Sequence, residues 1–173
     1  MWSDPPLMLD MSAAFDTIDH DILLWRLQTS FGICGAELSW FSSFLGDRMQ
    51  TVVINSQRSK TLLVTSGIPQ GSVLGLILFL LYTADIGLIA EKHGINLHSC
   101  ADDSELYIHC KVHDVAVTCL RVVSCIRDID NWMSSHRLKL NLDKIQFIVL
   151  ESRQQFDKVN VDISFSLKVN CLG

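Results

Sequence analysis

Two adjacent carboxylates, Asp102 and Asp103, lie between two stretches in which apolar and polar residues alternate. The chain there reads Ile95-Asn96-Leu97-His98-Ser99-Cys100-Ala101-Asp102-Asp103-Ser104-Glu105-Leu106-Tyr107-Ile108-His109. Alternation with period two on both sides predicts two half-buried strands joined by a tight turn, with the acidic pair at its tip. Like charges at neighbouring positions repel, and they hold a site together only with a cation beside them. Taken alone, the pair is accounted for by the preference of Asp for turns. A third carboxylate, Asp10, ends the apolar stretch Pro6-Leu7-Met8-Leu9, which reads as a short buried strand. If these strands are neighbours in one sheet, Asp10, Asp102 and Asp103 converge at one edge. Carboxylates converging from separate strands are a way to hold two Mg²⁺ ions, about 3.5–4 Å apart, for in-line phosphoryl transfer. One ion would activate an attacking hydroxyl, and the other would steady a triphosphate and its leaving pyrophosphate.

The elements that must position these groups can be read in order. After the first strand, a helix is expected from Asp19 or Asp21 through Leu23, Leu24 and Leu27 to about Ser30, with an acidic start suited to capping and to the helix dipole. A second short helix follows from Glu37 to Leu45, with Leu38, Phe41, Phe44 and Leu45 on one face. Residues 50–55 and 60–65 read as an antiparallel hairpin about a polar turn. The loop Ser66-Gly67-Ile68-Pro69-Gln70-Gly71-Ser72 is strongly punctuated, and Ser72 can cap a helix running from 73 to about 93, where Gly94 ends it. That helix is apolar on nearly all sides as far as Leu81 and is expected deep in the core. Val115, Cys119, Val122, Ile126, Ile129 and Met133 form one continuous helical stripe, expected to pack against the sheet. Residues 145–150 read as a strand, and 159–173 as one or two more. The expected fold is α/β (α+β), an antiparallel-rich sheet covered on one side by helices, in a single domain spanning 1–173.

Composition bounds the function. A length of 173 residues with 49% apolar and 19% charged residues suits one well-buried globular domain and excludes a disordered chain. The six cysteines form no Cys-x-x-Cys pair, so neither a zinc site nor a thioredoxin-type centre is indicated. With no secretory signal they read as reduced thiols of an intracellular protein, nuclear or cytoplasmic. The apolar run from Val73 to Tyr82 is about half the ~20 residues a membrane span needs, so no membrane is expected as a partner. The net charge of −5 argues against a strong free-standing nucleic-acid binder.

Four ordered segments carry a resemblance. They are Leu9-Asp10-Met11-Ser12-Ala13-Ala14-Phe15-Asp16-Thr17-Ile18-Asp19-His20; Ser66-Gly67-Ile68-Pro69-Gln70-Gly71-Ser72-Val73-Leu74-Gly75; Ala101-Asp102-Asp103; and Leu138-Lys139-Leu140-Asn141-Leu142-Asp143-Lys144. In order, spacing and identity they resemble reverse transcriptases of non-LTR (LINE-type, jockey-like) retrotransposons, over roughly residues 7–150, and residues 169–173 look like the start of that family's primer-grip hairpin. The resemblance implies a palm domain that is an RNA-directed DNA polymerase, using Mg²⁺, or Mn²⁺ in its place, to join a dNTP to a DNA primer on an RNA template. Asp10 and Asp102 would be the principal metal ligands, with Asp103 completing the cluster. Lys144 would protonate or neutralise the leaving pyrophosphate. Phe15 would be the bulky gate that rejects a 2′-hydroxyl, although a core phenylalanine explains it as well. Met11, Ser12, Ala13, Ala14 and Phe15 would present backbone amides to the triphosphate. Pro69, Gln70 and Gly71 would line the nucleotide and template side, Gln70 through its amide and Gly71 by allowing close backbone approach.

The match departs from the family at Cys100, where an aromatic residue is usual, at Leu76, where proline is common, and at Ile145, where a small hydroxyl residue is frequent. None of these removes a carboxylate. Nothing in the chain matches the basic fingers segment that precedes the first motif, nor the thumb, so those parts are expected from a longer parent protein. Two other readings remain. One is a truncated, inactive or domesticated retroelement remnant acting as an interaction module. The other is an RRM-like RNA-binding sheet, for which the aromatic strand motif and basic surface are missing.

Overall fold

The computed structural model describes residues 6–9, 14–69, 71–100, 103–141, 145–150 and 168–172. The backbone gathers into two compact units, one of residues 1–12 with 83–173 and one of residues 13–82.

The first unit is built on a five-stranded sheet of β1 (Pro6–Leu9), β6 (Asn96–Cys100), β7 (Asp103–Tyr107), β8 (Gln146–Leu150) and β9 (Lys168–Leu172), in the order β6-β7-β1-β8-β9. Strands β6 and β7 form the hairpin that the alternating pattern predicts, paired from Asn96↔Tyr107 to Cys100↔Asp103. Strand β1 lies in the middle, antiparallel to β7 from Pro6↔Tyr107 to Leu9↔Ser104, and antiparallel to β8 through Leu7↔Phe147 and Met8↔Gln146. The tail departs from the antiparallel expectation, because β9 runs parallel to β8. Helix α4 (Asp85–Lys92) lies against β6, and α5 (Val115–Ser135), entered through a 3₁₀ turn at Val112–Asp114, packs on α4. The stripe read from the sequence is the buried face of α5: Cys119, Val122, Ile126, Ile129 and Met133 are covered, joined by Thr118 and Cys125. Ile95, Leu106, Ile108, Leu138, Leu140 and Ile145 complete this core. At the end of α4, His93 Nε2 donates to Asp128 Oδ2 at 2.8 Å, and the Arg121 guanidinium donates to the His93 carbonyl at 2.6 Å.

The second unit comprises α1 (His20–Thr29), α2 (Gly35–Leu45), an extended hairpin and α3 (Val73–Thr83). Helix α1 starts as expected: Asp19 is extended and its Oδ1 accepts from the Ile22 N–H at 2.9 Å. It packs on α2. Its buried face is Leu23, Arg26 and Leu27, so an arginine takes a core position that hydrophobic spacing does not announce. The hairpin has two short ladders, β2 (Met49–Gln50) with β5 (Leu62–Leu63) and β3 (Val53–Ile54) with β4 (Gln57–Arg58). Its turn is tighter than the polar segment expected between 55 and 60. Asn55 and Ser56 both take positive φ, 48° and 66°, which is the two-residue turn whose twist matches paired strands. Between the ladders the Ser59 N–H bonds the Val52 carbonyl and Thr51 Oγ1 meets Thr61 Oγ1, so pairing survives the break through other groups.

The expected helix from 73 to about 93 is two helices, α3 and α4, parted at Ala84, where the Gly87 N–H reaches the Ala84 carbonyl at 3.2 Å in a tighter three-residue step. Nor is α3 buried on all sides. Leu78, Phe79 and Tyr82 are covered, whereas Val73, Leu76, Ile77 and Leu80 are exposed. By length and composition alone Val73–Lys92 could cross a membrane, with a mean hydropathy of 2.3, and 39% of that segment is buried within the protein.

Two outcomes follow from this packing. Ile129→Ala, at a fully buried position, is expected to lower the stability measured by urea unfolding by about 2–5 kcal/mol, whereas Leu120→Ala, at a position 71% exposed on the same helix, should change it by less than about 0.5 kcal/mol. Burial, with a contribution from Asp128, pushes the Cys125 thiol up to about 11, and Cys34 is exposed. Iodoacetamide at mildly alkaline pH should therefore modify Cys34 in the folded chain and reach Cys125 only on unfolding, as read by peptide mass.

Candidate active site

In the second unit, the turn at residues 14–17 and the loop at 66–69 are laced together through backbone groups. The Gly67 N–H donates to the Ile18 carbonyl at 2.7 Å, and the Ile68 N–H donates to the Phe15 carbonyl at 2.9 Å. Ser66 Oγ donates to the Asp16 carbonyl at 3.2 Å, and Asp19 and Ser66 form an isolated antiparallel bridge. Glycine is required at 67 on two counts. Its φ is +83°, and a Cβ there would lie 3.0 Å from Asp16 Cα and 3.1 Å from the Phe15 carbonyl oxygen, both backbone atoms that cannot swing aside. The loop is then fixed to the helix that follows. Ser72 Oγ accepts from the Gly75 N–H at 2.9 Å and donates to the Pro69 carbonyl at 3.0 Å, and a Cβ on Gly75 would overlap that same carbonyl oxygen.

Two side chains not singled out by the sequence reach the same point. His20 Nε2 lies 2.8 Å from the Gly67 carbonyl oxygen, and the Arg48 guanidinium lies 2.9 Å from it. Nothing local in the sequence links them, since they stand 47 and 19 residues from Gly67. Beside them an open groove of about 790 Å³ is lined by Asp16, Arg48, Gln50, Leu62, Ser66 and Pro69, among others. Charge is segregated along this part of the chain. From Arg48 to Ala84 there is no acidic residue, and Arg48, Arg58 and Lys60 are its cations.

Of the residues expected to bind nucleotide, Ala14 is buried, Phe15 is half-buried, Pro69 is half-buried and Gly71 is exposed with φ +79°. Phe15 stacks on Phe79, with ring centroids 4.8 Å apart and planes at 30°, so it satisfies the core reading on one side while remaining partly exposed. Glycine at 71 answers to its φ rather than to close approach, because nothing lies within 4 Å of a Cβ built there. Thus Phe15 is brought to Ile68, and Pro69 follows in the chain. Met11, Ser12, Ala13 and Gln70 lie outside the described residues.

In the first unit, Asp10, Asp102 and Lys144 also lie outside the described residues, and at Asp103 the backbone opens β7. The sheet register bears on them nonetheless. Leu9 pairs with Ser104, and Cys100 pairs with Asp103. In the sequence Asp10 follows Leu9, Asp103 precedes Ser104, and Ala101 and Asp102 are the two residues between Cys100 and Asp103. Among the described residues no three His, Cys, Asp or Glu side chains group closely enough to hold a metal ion.

The model of the family described as reverse transcriptase (RNA-dependent DNA polymerase) matches residues 4–173. The chain belongs to the reverse transcriptase family. The probable RNA-directed DNA polymerase from transposon BS of Drosophila melanogaster is 34% identical over 105 residues, which are 58% of this chain and 11% of that protein. The RNA-directed DNA polymerase from mobile element jockey of Drosophila funebris is 35% identical over 78 residues, 45% of this chain and 8% of that protein. The chain thus aligns with about a tenth of these relatives' length. Among solved structures, apo telomerase from Candida tropicalis truncated from its C-terminal domain superposes with a TM-score of 0.64, 16% identity, and coverage of 86% of this chain and 31% of that one. At that identity the likeness shows the fold, a reverse-transcriptase palm-like α+β arrangement.

A substitution separates the two loop glycines of this reverse transcriptase domain. Gly67→Ala should destabilise the chain by about 2 kcal/mol or more in urea unfolding, since both φ and space oppose it. Gly71→Ala meets only the φ penalty, about 1 kcal/mol.

Proposed function

We propose that this domain is the catalytic palm of an RNA-directed DNA polymerase, extending a DNA primer on an RNA template with dNTPs. One observation carries the reading: in a chain of this family, the register Leu9↔Ser104 and Cys100↔Asp103 sets side by side the strand ends that adjoin Asp10 and Asp102. A set of Asp10, Asp102 and Asp103 offers only carboxylate oxygens, the hard donors that Mg²⁺ prefers, and the like charges on adjacent residues call for a cation between them. When bound, two such ions would neutralise charge on the phosphates and ease ionisation of the primer hydroxyl. The chain's own groups do the rest. The primer 3′-oxygen attacks the α-phosphate of the dNTP, and the bond to the pyrophosphate oxygen breaks. Lys144 supplies a proton or a neutralising charge to that leaving oxygen. The backbone N–H groups of Met11 to Phe15 serve the triphosphate. The Phe15 ring, backed by Phe79, fills the space a 2′-hydroxyl would need. Pro69, Gln70 and Gly71 border the base, with Gln70 as the amide donor or acceptor.

A second reading, an inactive remnant that serves as an interaction module, is favoured by a different observation. Val73, Ile77 and Leu80 present an exposed apolar row on α3, and Ile54, Leu62 and Leu63 are exposed on the hairpin, a surface of the kind that other protein segments cover.

Primer extension on an RNA template separates the two. The polymerase reading expects extension by this chain that requires Mg²⁺ and falls by about 10³-fold or more in Asp102→Asn. Extension indifferent to that substitution would sink the assigned carboxylates, and a folded chain with no extension in any divalent cation would favour the module.

A further inference from the structure

We infer that His20 and Arg48 are positioning residues that set nucleotide selection by clamping the Gly67 carbonyl. This inference rests on the polymerase reading above. The Gly67 peptide is buried, and its oxygen has two lone pairs. His20 Nε2 occupies one at 2.8 Å and the Arg48 guanidinium the other at 2.9 Å. Because a carbonyl oxygen only accepts and a guanidinium only donates, His20 must donate as well, which places a proton on Nε2. One donor comes from the first turn of α1 and the other from the residue before β2, so the clamp ties helix, hairpin and loop at a single atom.

The clamped carbonyl and the N–H that holds Phe15 are the two ends of one peptide group. Gly67 is followed by Ile68, whose N–H bonds the Phe15 carbonyl at 2.9 Å, and Pro69 follows directly. Phe15 is thus held from two sides, by its ring on Phe79 and by its carbonyl on the clamped loop. Releasing the Gly67 carbonyl lets the loop at 66–69 shift, and the Phe15 backbone shifts with it. The ring then no longer meets the sugar at a fixed distance, and the Pro69–Gly71 border moves in the same step. A buried carbonyl that merely needs a partner is satisfied by one donor. Two long polar side chains from separate elements converging on it define a position.

The test compares the 173-residue chain with His20→Ala, His20→Gln and Arg48→Met in primer extension, with dNTP and rNTP kinetics measured separately. Loss of one such hydrogen bond should raise the dNTP KM about tenfold, with a smaller change in kcat, and should lower the preference for dNTP over rNTP by a similar factor. His20→Gln keeps a donor and should recover most of both. A folded His20→Ala or Arg48→Met chain with unchanged KM and unchanged dNTP preference overturns the proposal, as does failure of His20→Gln to outperform His20→Ala. If His20→Ala fails to fold, Arg48→Met carries the same readings. Amide hydrogen exchange tests the clamp itself. Gly67 and Ile68 should exchange about tenfold faster in either variant while α5 amides stay as they are. If the unsubstituted chain extends no primer, the polymerase reading fails, and unchanged exchange at Gly67 and Ile68 would then end the clamp independently.

Discussion

The first unit depends on the register of one short strand. Strand β1 has four residues and hydrogen-bonds on both sides, to β7 and to β8. A slip of one position would move Leu9 away from Ser104. Being central, β1 is held by two partners rather than one, and β7 is in turn held by β6 through five paired positions. The hairpin thus braces the strand whose end adjoins Asp10 in the sequence, and α4, backed by α5, braces the hairpin through β6. The apolar stripe of α5 therefore reaches the proposed chemistry indirectly: it stabilises α4, α4 backs β6, and β6 fixes β7 against β1.

The second unit solves a different problem, that of holding a loop rather than a strand end. A loop proposed to border a nucleotide cannot be fixed by a regular ladder and still present irregular backbone to a ligand. Here fixing is done atom by atom. Gly67 accepts a φ that other residues resist, its N–H and carbonyl are both spent internally, and Gly75 leaves space for the Pro69 carbonyl at the start of α3. The glycines and the serine of Ser66-Gly67-Ile68-Pro69-Gln70-Gly71-Ser72 thereby acquire separate physical roles. Gly67 admits close backbone and Ser72 both caps and tethers, whereas Gly71 supplies a turn in open space.

What the sequence made legible is what local pattern dictates. Alternation about Asp102–Asp103 gave the β6–β7 hairpin, Asp19 gave the start of α1, and spacings of three and four gave the buried face of α5. Three features escaped because their causes are not local. The break at Ala84 falls within an apolar run that carries no proline, and its nearest glycine, Gly87, lies beyond the break. Helix α3 was expected to be buried all round, yet hydrophobicity alone does not say which apolar side chains the unit has room to cover, and Val73 is left 80% exposed. The convergence of His20 and Arg48 on Gly67 joins three elements through one oxygen, and no periodicity encodes it.

Net charge is the remaining tension with the proposed polymerase role, since an acidic chain is a poor match for a polyanionic template. The value of −5 is an average over unlike parts. All the acidic residues lie outside the stretch from Arg48 to Ala84, so the hairpin and α3 carry only Arg48, Arg58 and Lys60. Under the proposed role, that stretch is where a phosphate backbone would be attracted. Three cations release few counterions, and affinity from that source is correspondingly modest and strongly screened by salt. On the proposed polymerase reading, discrimination would then come from shape: the Phe15 ring stacked on Phe79, and the loop bonded to the Phe15 carbonyl. Arg48 stands where the two demands meet. Its charge belongs to the cationic stretch, while its guanidinium is committed to the Gly67 carbonyl.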